Sequence, residues 1–193
     1  VLAASTRFRS AIFGSTFELA ELASPVRLVG IETEWIFTDD AARRAAVRNW
    51  SAYVREQQAG HAKPISYPTP MGNATRSWAE RTLAAAESVR VEFDDLENRT
   101  DAAERPAYLV HLFYRTGRIW RSLNYEIIRQ GYAPYFTRYG YVKRFSEQLQ
   151  RAQIAARAAE RGIWSANPSS SGGPTDVPLH YPDYEERIRW WDR

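Results

Sequence analysis

The chain has no cysteine among its 193 residues, which excludes a disulfide framework and any thiolate metal site. It has no apolar run near the roughly 20 residues that a membrane-crossing helix needs. Histidine is scarce, and His61, His111 and His180 share no metal-ligand spacing, so no zinc site is expected. No Gly-x-Ser-x-Gly elbow, Walker loop or Gly-x-Gly-x-x-Gly turn occurs; the sequence signatures of α/β-hydrolases, P-loop NTPases and dinucleotide-binding folds are missing. No segment repeats. An initiator methionine is missing as well. The chain begins Val1-Leu-Ala-Ala-Ser5 and its one methionine is Met71, so the expectation is a processed chain in the mitochondrion.

Aromatic residues, by contrast, are plentiful: 7 Trp, 11 Tyr and 8 Phe. That exceeds what one small core requires, and it predicts that some rings face a partner. Net charge is only +3 but unevenly spread, with eleven Lys/Arg against four Glu between residues 103 and 164. Such a segment is either a solvated face or a field that attracts phosphate or an acidic surface.

Three short strands are expected over 6–13, 16–22 and 26–31, separated by Gly14-Ser15 and Ser24-Pro25. One helix is expected over 39–58, capped by Asp39 or Asp40 and stopped by Gly60. The proline-rich stretch 63–70 must run extended, after which Asn73 is expected to cap a helix over 74–87. Strands at 89–93 and 107–115 follow, the second turning at Thr116-Gly117 into 118–120. A short helix over 123–130 ends at Gly131, where a left-handed cap is needed. The longest helix is expected over 141–161, with Phe145, Leu149, Ile154 and Ala158 on its buried face. Residues 165–176 read as a flexible linker, and 177–193 as a tail rich in rings.

Five stretches carry a resemblance: Val26-Arg-Leu-Val-Gly-Ile-Glu-Thr33, Val89-Arg-Val-Glu-Phe-Asp94, Arg105, Asn124 to Ala133, and Arg161-Gly-Ile-Trp164. In this order and spacing they resemble the staphylococcal-nuclease family, over about residues 6 to 164. The resemblance implies an α+β fold: a five-stranded OB-type β-barrel with three family helices, here with an inserted helix at about 39–60 and an extended C-terminal tail. The implied division is a nuclease-like domain over 1–164, the linker over 165–176, and an aromatic docking tail over 177–193.

Enzymes of this family cleave phosphodiesters with a calcium ion, two arginines and a glutamate, which stabilise charge on phosphate oxygens and orient water. Arg27 matches the first arginine. Arg105 matches the second if Asp101-Ala-Ala-Glu-Arg105 corresponds to the family's Asp-x-Tyr-Gly-Arg, although Ala103-Glu104 and Pro106 depart from that pattern. Where the family has Asp-Gly-Asp-Thr, this chain has Phe13-Gly-Ser-Thr16, so Ser15 stands at a calcium carboxylate. Glu32 stands at the second. The family's Asp-Thr-Pro-Glu reads Glu32-Thr-Glu-Trp35; without a gap Trp35 fills the glutamate position, and with one residue deleted Glu34 does. A bland alternative makes Arg27 and Arg105 salt-bridge residues, with Glu32 and Glu104 as partners.

The expectation is therefore a nuclease-like protein without catalysis, cofactor or metal. It would serve as an accessory subunit of a larger assembly such as a respiratory, ATP-synthase or ribosomal complex. Tyr181, Tyr184, Trp190 and Trp191 of the tail would dock on its partners. Two alternatives stay open. One is a divergent calcium-dependent phosphodiesterase using Arg27, Arg105, Glu32 and Glu34. The other is a non-catalytic nucleic-acid-binding OB protein, using the basic 103–164 segment with Tyr135, Phe136 and Tyr139 as stacking platforms.

Overall fold

A computed structural model of the chain describes residues 3–62, 65–94, 107–137 and 142–165. The chain opens with β1 (Ala3–Thr6) and β2 (Phe8–Phe13), turns at Gly14-Ser15 into β3 (Thr16–Leu19), and reaches β4 (Val26–Leu28). Helices α1 (Asp40–Arg48), α2 (Trp50–Gln58) and α3 (Pro70–Ala84) follow. Then come β5 (Ser88–Phe93), β6 (Tyr108–Thr116), β7 (Ile119–Ser122), α4 (Leu123–Arg129), α5 (Ser146–Ala158) and a 3-10 turn over Gly162–Trp164. The architecture is mixed α+β.

The strands form one sheet in the order β1-β5-β6-β4-β3-β2, with β7 also paired to β6. Neighbours are antiparallel except β4 and β6, which run parallel with Val26 opposite Tyr108, Arg27 opposite Leu109 and Leu28 opposite Val110. Only Arg7 separates β1 from β2, so the two ends of the sheet order are consecutive in the chain. Phe17, Leu28, Val89, Val91, Val110 and Leu112 bury against Leu123, Ile127 and Ile128 of α4 and Leu149 of α5. Each such side chain contributes about 1.5–3 kcal/mol by leaving water. Among the described residues, no helix is long and apolar enough to cross a membrane.

Several elements differ from expectation. The single helix over 39–58 is two, broken at Asn49, whose backbone (φ −137°, ψ 59°) is not helical. Asp39 does cap α1, accepting hydrogen bonds from Ala41 N at 3.0 Å and Ala42 N at 3.1 Å. The third helix starts at Pro70 rather than Ala74. Thr69 Oγ1 accepts from Gly72 N at 3.2 Å, and a proline fits the first turn, where its missing N–H has no partner to lose. Asn73 is left to bind a distant segment instead. Its amide oxygen accepts from Phe37 N and its amide nitrogen donates to Phe37 O, both at 2.9 Å. The last helix begins at Ser146, and its buried stripe is Leu149, Ala152 and Ala156. Ile154 is 66 % exposed, because steps of three and four residues from Leu149 lead past it.

Many rings find partners within the chain. Phe37, Trp50, Tyr53 and Tyr67 cluster beneath the inserted helices with centroids 5.4–6.5 Å apart. Burial, and then Glu56, push the Tyr53 hydroxyl up to about 12, and it donates to Pro68 O at 2.9 Å. The tail residues Tyr181, Tyr184, Trp190 and Trp191, together with the linker beyond Ser165, lie outside the described residues.

Gly131 does more than end α4. Its φ of 73° is left-handed, and an added Cβ would lie 2.1 Å from Arg161 O. Gly162 meets Gly131 O in the same way, at 2.0 Å, and Ile163 N donates to Gly131 O at 2.8 Å. Two chain segments thus touch backbone to backbone. Gly131→Ala is expected to destabilise the fold by more than about 2 kcal/mol, through strain and steric overlap together. Gly117→Ala, at φ 62° with open space around it, should cost about 1 kcal/mol. Urea unfolding of both variants checks the contrast.

Candidate functional site

The β2–β3 turn, β4 and the segment that follows β4 meet at a small cavity of about 50 Å³. The turn contributes Phe13, Ser15 and Thr16, β4 contributes Arg27, and Glu32 to Trp35 complete the wall. The fold therefore gathers Ser15, Arg27, Glu32, Glu34 and Trp35 in one place, as the family resemblance implies. Arg105 lies outside the described residues.

The register explains the gathering. Thr16 pairs with Arg27 across β3 and β4, and Arg27 Nε donates to Thr16 Oγ1 at 3.4 Å. Ser15 O accepts from Leu28 N at 2.9 Å, fixing the turn beside β4. Ser15 Oγ and Thr33 Oγ1 are hydrogen-bonded at 3.1 Å, both side chains buried. A carboxylate at position 15 would bring charge here; the serine brings a hydroxyl already engaged by its neighbour. Arg27, Glu32 and Glu34 all have interaction partners.

The last two positions of the wall behave differently. Glu34 is 5 % exposed, whereas Trp35 is 51 % exposed. The Trp35 and Phe13 rings of the lining both reach solvent, Phe13 at 39 % exposure, whereas Glu34 is buried. Gly72 of α3 sets this arrangement, because a Cβ there would lie 1.9 Å from Trp35 O and 2.8 Å from Glu34 O. Thr69 N donates to Trp35 O at 3.0 Å, and Trp35 bridges to Pro68. The first turn of α3 is thus the mould for the Glu34-Trp35 backbone. Sequence reasoning missed Gly72, because a helix expected to begin only at Ala74 left this glycine outside it, whereas the observed start at Pro70 puts it in the first turn.

Calcium binds roughly six to eight oxygens, carboxylates foremost. Among the described residues, the cavity wall offers two carboxylates, Glu32 and Glu34, and no third acid. Among the described residues, no group of three His, Cys, Asp or Glu is placed to hold a metal ion. Tyr135 and Phe136, expected as stacking platforms, are buried at 8 % and 3 % exposure, because the chain after α4 returns to pair Ile31 with Tyr135. Tyr139 lies outside the described residues. Part of the basic segment is paired locally, with Arg129 on Glu126 at 2.7 Å and Arg144 on Glu92 at 2.8 Å.

A sequence model described as staphylococcal nuclease homologue matches residues 40–166, about two thirds of the chain. This chain belongs to the staphylococcal nuclease homologue family. The fold of that family is OB-type, consistent with a parallel β4–β6 pair and the helix order seen here. A comparison with curated proteins finds no match to the chain.

A titratable pair joins Asp94, just after β5, to His111 of β6. His111 Nε2 and Asp94 Oδ1 are 2.9 Å apart, and Asp94 also accepts from Lys143 N at 2.7 Å and Arg144 N at 3.0 Å. The loop before α5 is thereby tied to the sheet, and the Phe145 ring stands edge-on to His111 at 4.7 Å. Burial drives the His111 pKa down against the pull of Asp94. Burial raises Asp94, but His111 and the two backbone donors outweigh it and hold the carboxyl below its ordinary value. The pair is neutral imidazole with carboxylate.

Linkage fixes the sign. The unfolded chain protonates its histidine near the ordinary value of 6.5, before the folded chain does. Stability is therefore lost as pH falls below that value, and lost further once Asp94 is titrated. The expected outcome is a melting temperature that drops as pH falls from about 7 to about 5. His111→Gln, which keeps a donor for Asp94 but does not titrate, should flatten that slope.

Proposed function

We propose that this chain is an OB-type, nuclease-like protein that has given up catalysis and works as a protein-binding accessory subunit of a larger assembly. In this reading the contiguous β1 and β2 close the sheet into the family's barrel. The observation that carries it is Ser15. Its hydroxyl, bonded to Thr33, occupies a position where the resemblance requires a calcium carboxylate, and Phe13 replaces the neighbouring acid. We infer that two carboxylates in a cavity of about 50 Å³ do not hold a calcium ion against water.

The rim supports the binding role. Phe13 and Trp35 both line the cavity and both expose large rings, and exposed aromatics of this kind are typical anchors of protein interfaces. The tail over 177–193, with its two Trp and two Tyr, would add a second point of attachment.

One observation favours a different reading. Glu34 is buried in the same cavity as Arg27, where it could orient a water in a divergent phosphodiesterase, with Glu32 as metal ligand and Arg105 completing the charge clamp. The two readings separate cleanly by experiment. For the accessory subunit, native protein should migrate within a particle much larger than the monomer. Trp35→Ala should then weaken its retention at least about tenfold, and purified protein should degrade DNA no faster with calcium than without. Calcium-dependent degradation that disappears in both Arg27→Ala and Glu34→Gln would establish the enzyme instead.

A further inference from the structure

A second cleft, of about 360 Å³, lies between α1 and α3 and shares no lining residue with the Arg27 cavity. Its volume falls within the roughly 300–1,000 Å³ typical of small-molecule sites. One wall is a stripe of α3, where Asn73, Ser77 and Arg81 recur at four-residue steps and stack on one face. The facing wall is the first turn of α1, with Asp40 and Arg43. Tyr132, just beyond α4, closes the end.

The walls are held in place without a ligand. The Asn73 amide is spent in both directions on Phe37, which pins the segment leading into α1 against α3. Tyr132 packs on Trp78 with ring centroids 5.2 Å apart, and its carbonyl accepts from Thr75 Oγ1 at 3.5 Å. A cleft built this way asks little reorganisation of an incoming molecule.

Its chemistry favours an anion. Two guanidiniums face one carboxylate, and Asp40 lies 3.4 Å from Arg43 Nε, so the lining keeps an excess positive charge. Burial raises the Tyr132 phenol above its ordinary value, outweighing the opposite pull of Arg81. Its hydroxyl and that of Ser77 can each donate. A lone carboxylate presents two oxygens, which one guanidinium fork satisfies; two forks and two hydroxyls match the three terminal oxygens of a phosphate.

We propose that the α1–α3 cleft binds a phosphate monoester. Arg43, Arg81 and Ser77 hold the phosphoryl head, and Asp40 accepts a hydrogen bond from a hydroxyl on the ester's body. The inserted helix α1 would then supply a ligand site of its own, independent of what has become of the Arg27 cavity.

Isothermal titration of the full chain at low ionic strength tests it, with glycerol 3-phosphate and inorganic phosphate as probes. The expected result is saturable binding of glycerol 3-phosphate, tighter than that of inorganic phosphate. Arg81→Ala should weaken it at least tenfold, Ser77→Ala less so, and Arg118→Ala on the β6–β7 turn not at all. Circular dichroism would verify that each variant is folded. Displacement of the probe by a 5′-phosphorylated oligonucleotide, but not by its unphosphorylated form, would assign the phosphate to a strand end. Displacement by neither would assign it to a small metabolite. The proposal is overturned by absence of saturable binding, by Arg81→Ala binding as tightly as the parent, or by equal displacement with the unphosphorylated strand.

Discussion

Asn124 holds this molecule together at its least substitutable point. It is fully buried, and its side chain makes three hydrogen bonds: Nδ2 donates to Val29 O at 2.9 Å and Val110 O at 3.3 Å, and Oδ1 accepts from Leu112 N at 3.0 Å. One side chain at the start of α4 therefore binds the end of β4 and the middle of β6, the two strands that run parallel. Without it, Val29 O and Leu112 N would lose this partner while buried, at about 1–3 kcal/mol each, whereas Val110 O would still accept from Val29 N at 3.0 Å. Everything near the Arg27 cavity descends from this clamp. It fixes where β4 ends. Beyond it, Gly30 turns with φ 75°, Gly30 O accepts from Phe136 N at 2.9 Å, and the chain is delivered to Glu32, Thr33 and Glu34.

The same clamp gives physical meaning to the stretch that carried the family resemblance. Asn124 ties the helix to the sheet, Ile127 and Ile128 fill the core, and Gly131 lets the chain pass against Gly162. These are structural duties, and none requires a nuclease. A family signature made of such residues survives when the chemistry changes, because folding depends on it and catalysis does not. In the proposed reading, Ser15 and Trp35 are where this chain departs from the family pattern, although their backbones still hold the turn and the segment beside α3 in place.

Local chemistry was legible where one residue type has one physical reason. Asp39 caps α1 with its carboxylate, and Gly131, having no Cβ, turns left-handed after α4. What stayed hidden depended on residues far apart in sequence. Asn73 read as the cap of the third helix, but Thr69 takes that role and Asn73 is engaged with Phe37. Ile154 looked like core by its hydrophobicity, yet the face of α5 is set by what α4 presents. Asn49 breaks the inserted helix with no proline or glycine to announce it. At the cavity, the sequence left Glu34 and Trp35 as alternatives for one position; in the structure Glu34 is buried and Trp35 exposed, with the backbone of both packed on Gly72. Arg105 and the aromatic tail fall outside the described residues, so their roles rest on the sequence alone.

At the centre stands the claim that the cavity beside Arg27 is too poor in carboxylate to hold a divalent ion. Trp35 lines that cavity and can sensitise terbium, a luminescent stand-in for calcium, bound within a few ångströms. Titrating the protein with terbium is the direct measurement. The expected result is no saturable luminescence that depends on Glu32. A saturable signal, displaced by calcium and lost in Glu32→Gln or Glu34→Gln, would contradict the claim.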